Sequence, residues 1–102
     1  METRKITGQI MEKKINEKGN FTKYTFVIRT KKGKTMSLGL FISDKDKEEI
    51  KLKKQGFVQD FKQNENAEFT FYDKQEGNTT YHNIVDIKEV DDINSQVKEV
   101  DE

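Results

Sequence analysis

KYTFVIRTKKGKTMSLGLF, Lys23 to Phe41, decides the fold. Tyr24, Phe26 and Ile28 alternate with Thr25, Val27 and Arg29, the period of two that sends successive side chains to opposite faces of a strand. Lys31, Lys32 and Gly33 close a hairpin. On its far side Met36, Leu38 and Leu40 form the inward set, leaving Thr35, Ser37, Gly39 and Phe41 on the other face. The hairpin therefore has one apolar face and one that is small, polar and edged by cations.

Upstream, Lys5 to Ile15 puts Ile6, Gly8 and Ile10 on one face and then shifts phase to Met11 and Ile15, which predicts a strand with a bulge or bend near Ile10. Asn16 to Asn20 reads as a turn, with Gly19 available for positive φ. Downstream the period changes to that of a helix. Ser43 is a candidate N-cap, Asp44 and Asp46 suit the positive end of the helix dipole, and Ile50, Phe57 and Phe61 lie at near-helical spacing. Gly56 leaves open one helix or two short ones. Ala67 to Tyr72 alternates again, with Ala67, Phe69 and Phe71 inward and Glu68, Thr70 and Tyr72 outward. After the turn DKQEGN, Thr79 to Val90 forms the last strand and brings Ile84, Val85, Ile87 and Val90 to the core with another phase shift. Residues 91–102 are acidic with isolated apolar residues, a solvated tail.

The expected fold class is thus all-β with one inserted helix, ordered β-β-β-α-β-β. That order is the topology of the OB-fold, a five-stranded Greek-key barrel whose bent strands remove most edges. Bulges in the first and last strands are what a barrel needs where a strand serves two sides. The expected organisation is one OB-fold domain over residues 1–90 and an acidic flexible tail over 91–102.

The first strand carries Ile6-Thr7-Gly8-Gln9-Ile10 and the fifth Tyr81-His82-Asn83-Ile84-Val85-Asp86-Ile87. With this element order, residues 4–90 resemble the small OB-fold single-stranded-DNA-binding proteins related to replication protein A and the archaeal, bacterial and phage single-strand binders. The resemblance implies a non-catalytic replication or repair role. Bacterial single-strand binders generally end in an acidic tail with a terminal Pro-Phe; this chain ends Lys-Glu-Val-Asp-Glu and has no Pro, a departure from that pattern.

Composition narrows the chemistry. At 102 residues the chain suits one domain, and with 31% apolar against 37% charged residues its core must be thin. No stretch approaches the roughly 18 apolar residues of a membrane helix, and METRKITG has no signal-peptide core, so a cytoplasmic protein is expected. The absence of Cys excludes disulfides, thiolate metal sites and cysteine nucleophiles. His82 is the single histidine, so a two-histidine metal site within one chain is excluded. Ser37 and Ser43 lack a strained nucleophile turn, and KKGK lacks the phosphate-loop pattern. Glu89, Asp91 and Asp92 read as a solvated acidic run rather than a cation site. No catalytic residue, metal or cofactor is expected.

The zero net charge hides a division. Residues 1–62 hold 16 Lys or Arg against 8 Asp or Glu, whereas residues 63–102 hold 3 against 11. Such asymmetry is a hint of nucleic-acid contact. Single strands are held by cations along the phosphates and by aromatic rings beneath the bases, and OB-folds present both on the outer face of strands two and three and the adjoining loops. The alternation places Phe21, Lys23, Thr25 and Arg29 on that face of the second strand, and Ser37 and Phe41 on that of the third. Lys13, Lys14 and Lys18 flank the first loop; Lys31, Lys32 and Lys34 form the hairpin tip; Tyr72, Lys74 and Tyr81 approach from the last loop. Phe41 either stacks or tucks under the helix, and Tyr72 and Tyr81 either stack or pair across strands. The expected ligand is single-stranded DNA, or RNA, with low sequence specificity. The alternatives are a protein-interaction OB module and a structured-RNA or tRNA binder. A replication or repair protein is a second expected partner through the acidic tail. A dimer would add grip, and no interface is specified.

Overall fold

The computed structural model describes residues 2–90. Five strands and one helix follow in the order β1 (Arg4–Lys18), β2 (Phe21–Thr30), β3 (Thr35–Ser43), α1 (Glu48–Asp60), β4 (Asn66–Glu76) and β5 (Thr79–Glu89). The expected tail lies outside the described residues. The strands hydrogen-bond in a ring, β1-β2-β3-β5-β4, with β4 pairing back onto β1. The order is consistent with an OB-like topology. Closure between β3 and β5 is narrow: one parallel pairing, Gly39 with Asn83. Among the described residues no helix is long and apolar enough to cross a membrane.

The alternation in the quoted hairpin holds throughout. Phe26 lies opposite Leu38 and Ile28 opposite Met36, while Thr25 faces Gly39 and Val27 faces Ser37 on the other side. Phe26, Ile28, Leu38 and Leu40 are buried with Ile10, Ala67, Phe69, Phe71, Ile84 and Ile87. This single cluster fills the ring, with the Phe26 and Phe69 rings 5.9 Å apart.

Two bulges set the faces. In β1 the register slips between Ile10 and Glu12, so Met11 is the extra residue and everything beyond it changes side. In β5 the partner of Thr70 is Asp86 and that of Phe71 is Ile84, leaving Val85 over. Val85 is therefore 41% exposed and does not join the core, while Ile84 and Ile87, three apart, both do. Val90 is only half-buried, and Ile15 is 62% exposed because β1 has by then run past the end of the core. Gly8 sits where β1 pairs with β2 and β4 at once, opposite Thr30 and Ala67. A Cβ there would lie 2.9 Å from the Arg29 carbonyl oxygen, so only glycine allows so close an approach of the two strands.

The β1–β2 and β4–β5 hairpins are longer than the sequence suggests. Their strands run to Lys18 and Glu76, and only Gly19-Asn20 and Gly77-Asn78 remain as turns. Positive φ falls at Gly33 and Gly77, and not at Gly19.

One helix, unbroken at Gly56, packs on the core. Ser43 does not cap it: the Ser43 Oγ accepts from the Lys45 N–H in the preceding turn, and the helix starts at Glu48 after Lys47. Phe57, Val58 and Phe61 pack against the core, whereas Ile50 is exposed.

Candidate functional site

The outer face of β2 and β3 becomes a groove because the arms of the β1–β2 and β4–β5 hairpins rise beside it. After the Met11 bulge, Lys14, Asn16 and Lys18 face the same way as their partners Thr25, Lys23 and Phe21. From the other arm Tyr72 pairs with Asn83 and Lys74 with Tyr81, again on one face. Between the arms lies a groove of about 480 Å³ lined by Lys18, Phe21, Lys23, Phe41, Tyr72, Lys74 and Tyr81 among others. Four aromatic side chains and three lysines that the sequence singles out thus converge on one concavity.

The aromatics are arranged around a cation. The Phe21 and Phe41 rings are 5.8 Å apart and tilted by 48°. Lys23 Nζ sits 5.4 Å from the Phe41 ring centre and 5.3 Å from that of Tyr81, both within cation–π reach. Phe41 is held at its backbone rather than tucked beneath the helix. Lys54 of α1 donates to the Phe41 carbonyl at 2.6 Å and to Asp46 Oδ2 at 3.0 Å. The same Asp46 oxygen accepts the Ser43 N–H. That backbone N–H, then Lys54, holds the Asp46 carboxyl below its ordinary range. The end of β3 that carries Phe41 is therefore pinned to the helix.

Other predicted residues stand elsewhere. Lys13 is turned inward by the bulge, opposite Phe26. Its Nζ donates to the carbonyls of Val58 and Phe61 at 2.7 and 2.8 Å, and lies 6.0 Å from the Phe26 ring centre. Its placement is that of a helix C-terminal cation supplied from another element, since the last turn of α1 holds no basic residue. It is not part of the groove. Lys74 lies in the groove but is ion-paired with Glu76 at 3.1 Å, both side chains more than half exposed. Arg29 is on the groove face, yet eight residues along β2 from Phe21, about 26 Å at the usual rise per residue. Lys31, Lys32 and Lys34 lie past it at the exposed far hairpin tip. Lys14 is exposed beside Thr25. The predicted set therefore divides into a groove cluster and a distant basic tip.

Thr25 and Ser37 line a smaller cavity of about 130 Å³ that continues the groove between β3 and β5. Gly39, Tyr81, His82 and Asn83 complete most of its wall. His82 Nδ1 lies 2.6 Å from Asp73 Oδ1, and Arg4 donates to the other oxygen at 2.6 Å. The imidazole first, and then the guanidinium, hold the Asp73 carboxyl below its ordinary range. His82 also stands edge-on to Phe71, 5.5 Å between centres, a structural placement at the mouth of the core. Among the described residues no cluster of three His, Cys, Asp or Glu side chains is disposed to hold a metal.

The chain matches no family model and no curated protein sequence. The site has to be read from its own geometry. Asn16, Glu76 and Asn83 are the groove residues that the sequence reading missed. Asn83 is legible in retrospect from the alternation with Tyr81, and Asn16 only once the bulge is placed.

Proposed function

We propose that this chain is an OB-fold Greek-key barrel that binds single-stranded nucleic acid without catalysis, DNA ahead of RNA, and mostly without regard to sequence. One observation carries the reading: Phe21, Phe41, Tyr72 and Tyr81 share a single groove with Lys18, Lys23 and Lys74. Rings supply stacking surfaces that every base can use, and ammonium groups supply the phosphate contacts. Small residues, Thr25, Ser37 and Gly39, line the smaller cavity that continues the groove, so a strand can approach the sheet closely there.

A duplex offers no unstacked base to these rings, and this separates the proposal from a structured-RNA binder. In a competition experiment against labelled oligo(dT), unlabelled oligo(dT) should displace the label at far lower concentration than duplex DNA or duplex RNA of equal length. Equal competition by duplex and single strand would overturn the reading.

A further inference from the structure

Lys23 is placed unusually for a phosphate-binding residue. Its stem crosses Gly39, with Cε 3.3 Å from where a Cβ of that glycine would stand. Its ammonium group lies within reach of both the Phe41 and the Tyr81 rings. Beneath it, 3.8 Å from the same Gly39 position, lies Asn83 Oδ1, buried and without any hydrogen-bond partner. A buried acceptor left unpaired costs roughly 1 to 3 kcal/mol, so such a group calls for a donor.

The local backbone explains why a space exists here. Gly39 and Asn83 form the single pairing between β3 and β5, and the two strands diverge beyond it. The resulting cavity of about 130 Å³ compares with the roughly 150 Å³ that admits one benzene ring. With Lys23 as part of its wall, this space has room for one six-membered ring and too little for a fused purine. Its walls combine the Leu38 side of β3 with the hydroxyls of Thr25 and Ser37.

We propose that the cavity beside Gly39 and Tyr81 is a slot for one pyrimidine base, walled by the Lys23 side chain and read by Asn83 Oδ1. On binding, the base enters the cavity beside the Lys23 stem and against Tyr81, and the Lys23 ammonium meets a phosphate. A ring or exocyclic N–H of the base then donates to Asn83 Oδ1. The slot rests on the single-strand reading above and adds to it a preference at one position of the bound strand.

The test is a fluorescence titration of the full chain with oligo(dT), oligo(dA) and an oligomer of N3-methylthymidine, which keeps the pyrimidine ring but lacks the N3–H donor. Oligo(dT) should bind roughly tenfold more tightly than the methylated oligomer, the value of one hydrogen bond to an otherwise orphaned acceptor. Oligo(dA) should also bind more weakly than oligo(dT). In Asn83→Leu the difference between oligo(dT) and its methylated form should vanish. Gly39→Ala, which places a methyl group in the slot, gives a second variant should Asn83→Leu fail to fold; it should lower oligo(dT) affinity towards that of the methylated oligomer. Equal affinity of the wild-type chain for both thymidine oligomers, or discrimination that survives Asn83→Leu, would overturn the slot while leaving single-strand binding intact. Failure to bind any of the three would overturn the single-strand reading itself.

Discussion

At the scale of single residues, lysines of similar sequence context have unlike roles, and mutation separates them. Lys13 and Lys18 both flank the first hairpin turn, yet one donates to two helix carbonyls and the other lines the groove. Replacing Lys13 by Met should cost about 1 to 3 kcal/mol of stability, since hydrogen bonds from a charged donor are lost and the carbonyls of Val58 and Phe61 lose their partner. Thermal denaturation reads that loss, and oligo(dT) affinity should stay within twofold of wild type. The aromatic pair behaves in the opposite sense. Replacing Phe41 or Phe21 by Ala should weaken oligo(dT) binding by about 1 to 3 kcal/mol, the value of one base–aromatic stack. A fall in melting temperature with unchanged affinity would instead assign that ring to packing.

At the scale of elements, the junction between β3 and α1 links stability to pH. Asp46 accepts from Ser43 and Lys54, and its pKa is lowered by both. A depressed carboxylate contributes stability that is fully present above the unfolded value of about 3.9 and is lost as pH falls through the lower folded value. Thermal stability should therefore drop between pH 5 and pH 2 more steeply in the wild type than in Asp46→Asn, which lacks that titration. Parallel acid limbs in the two proteins would contradict this. The elements also show how much was legible. Element order, the hairpin from Lys23 to Phe41 and the bulge near Ile10 follow from the period-two pattern because the ring has one buried face. Lys13 and Val85 did not, because each depends on where a bulge inserts its extra residue. A one-residue slip exchanges the two faces of every position beyond it. The lengths of the two arms were hidden as well: Glu17, Lys18, Gln75 and Glu76 are polar on both faces, so alternation carries no signal there.

At the scale of the whole molecule, the neutral sum of charges is resolved in space as well as in sequence. The groove holds Lys18, Lys23 and Lys74 against Glu76 within its lining, and the remaining basic cluster of Lys31, Lys32 and Lys34 stands at the far end of β2 and β3. Phe21, Phe41, Tyr72 and Tyr81 all stand at the groove end. Affinity should therefore arise from stacking plus a small number of phosphate contacts rather than from a broad positive surface. Counterion release makes that number measurable, because the slope of log affinity against log salt concentration is about −0.7 per phosphate contact for a single strand. The decisive measurement is a titration of tyrosine fluorescence with a short oligo(dT) across a series of salt concentrations. Saturable binding with a slope of about −2, matching the three groove lysines, is the predicted result. No binding at low salt, or an affinity indifferent to salt, would contradict it.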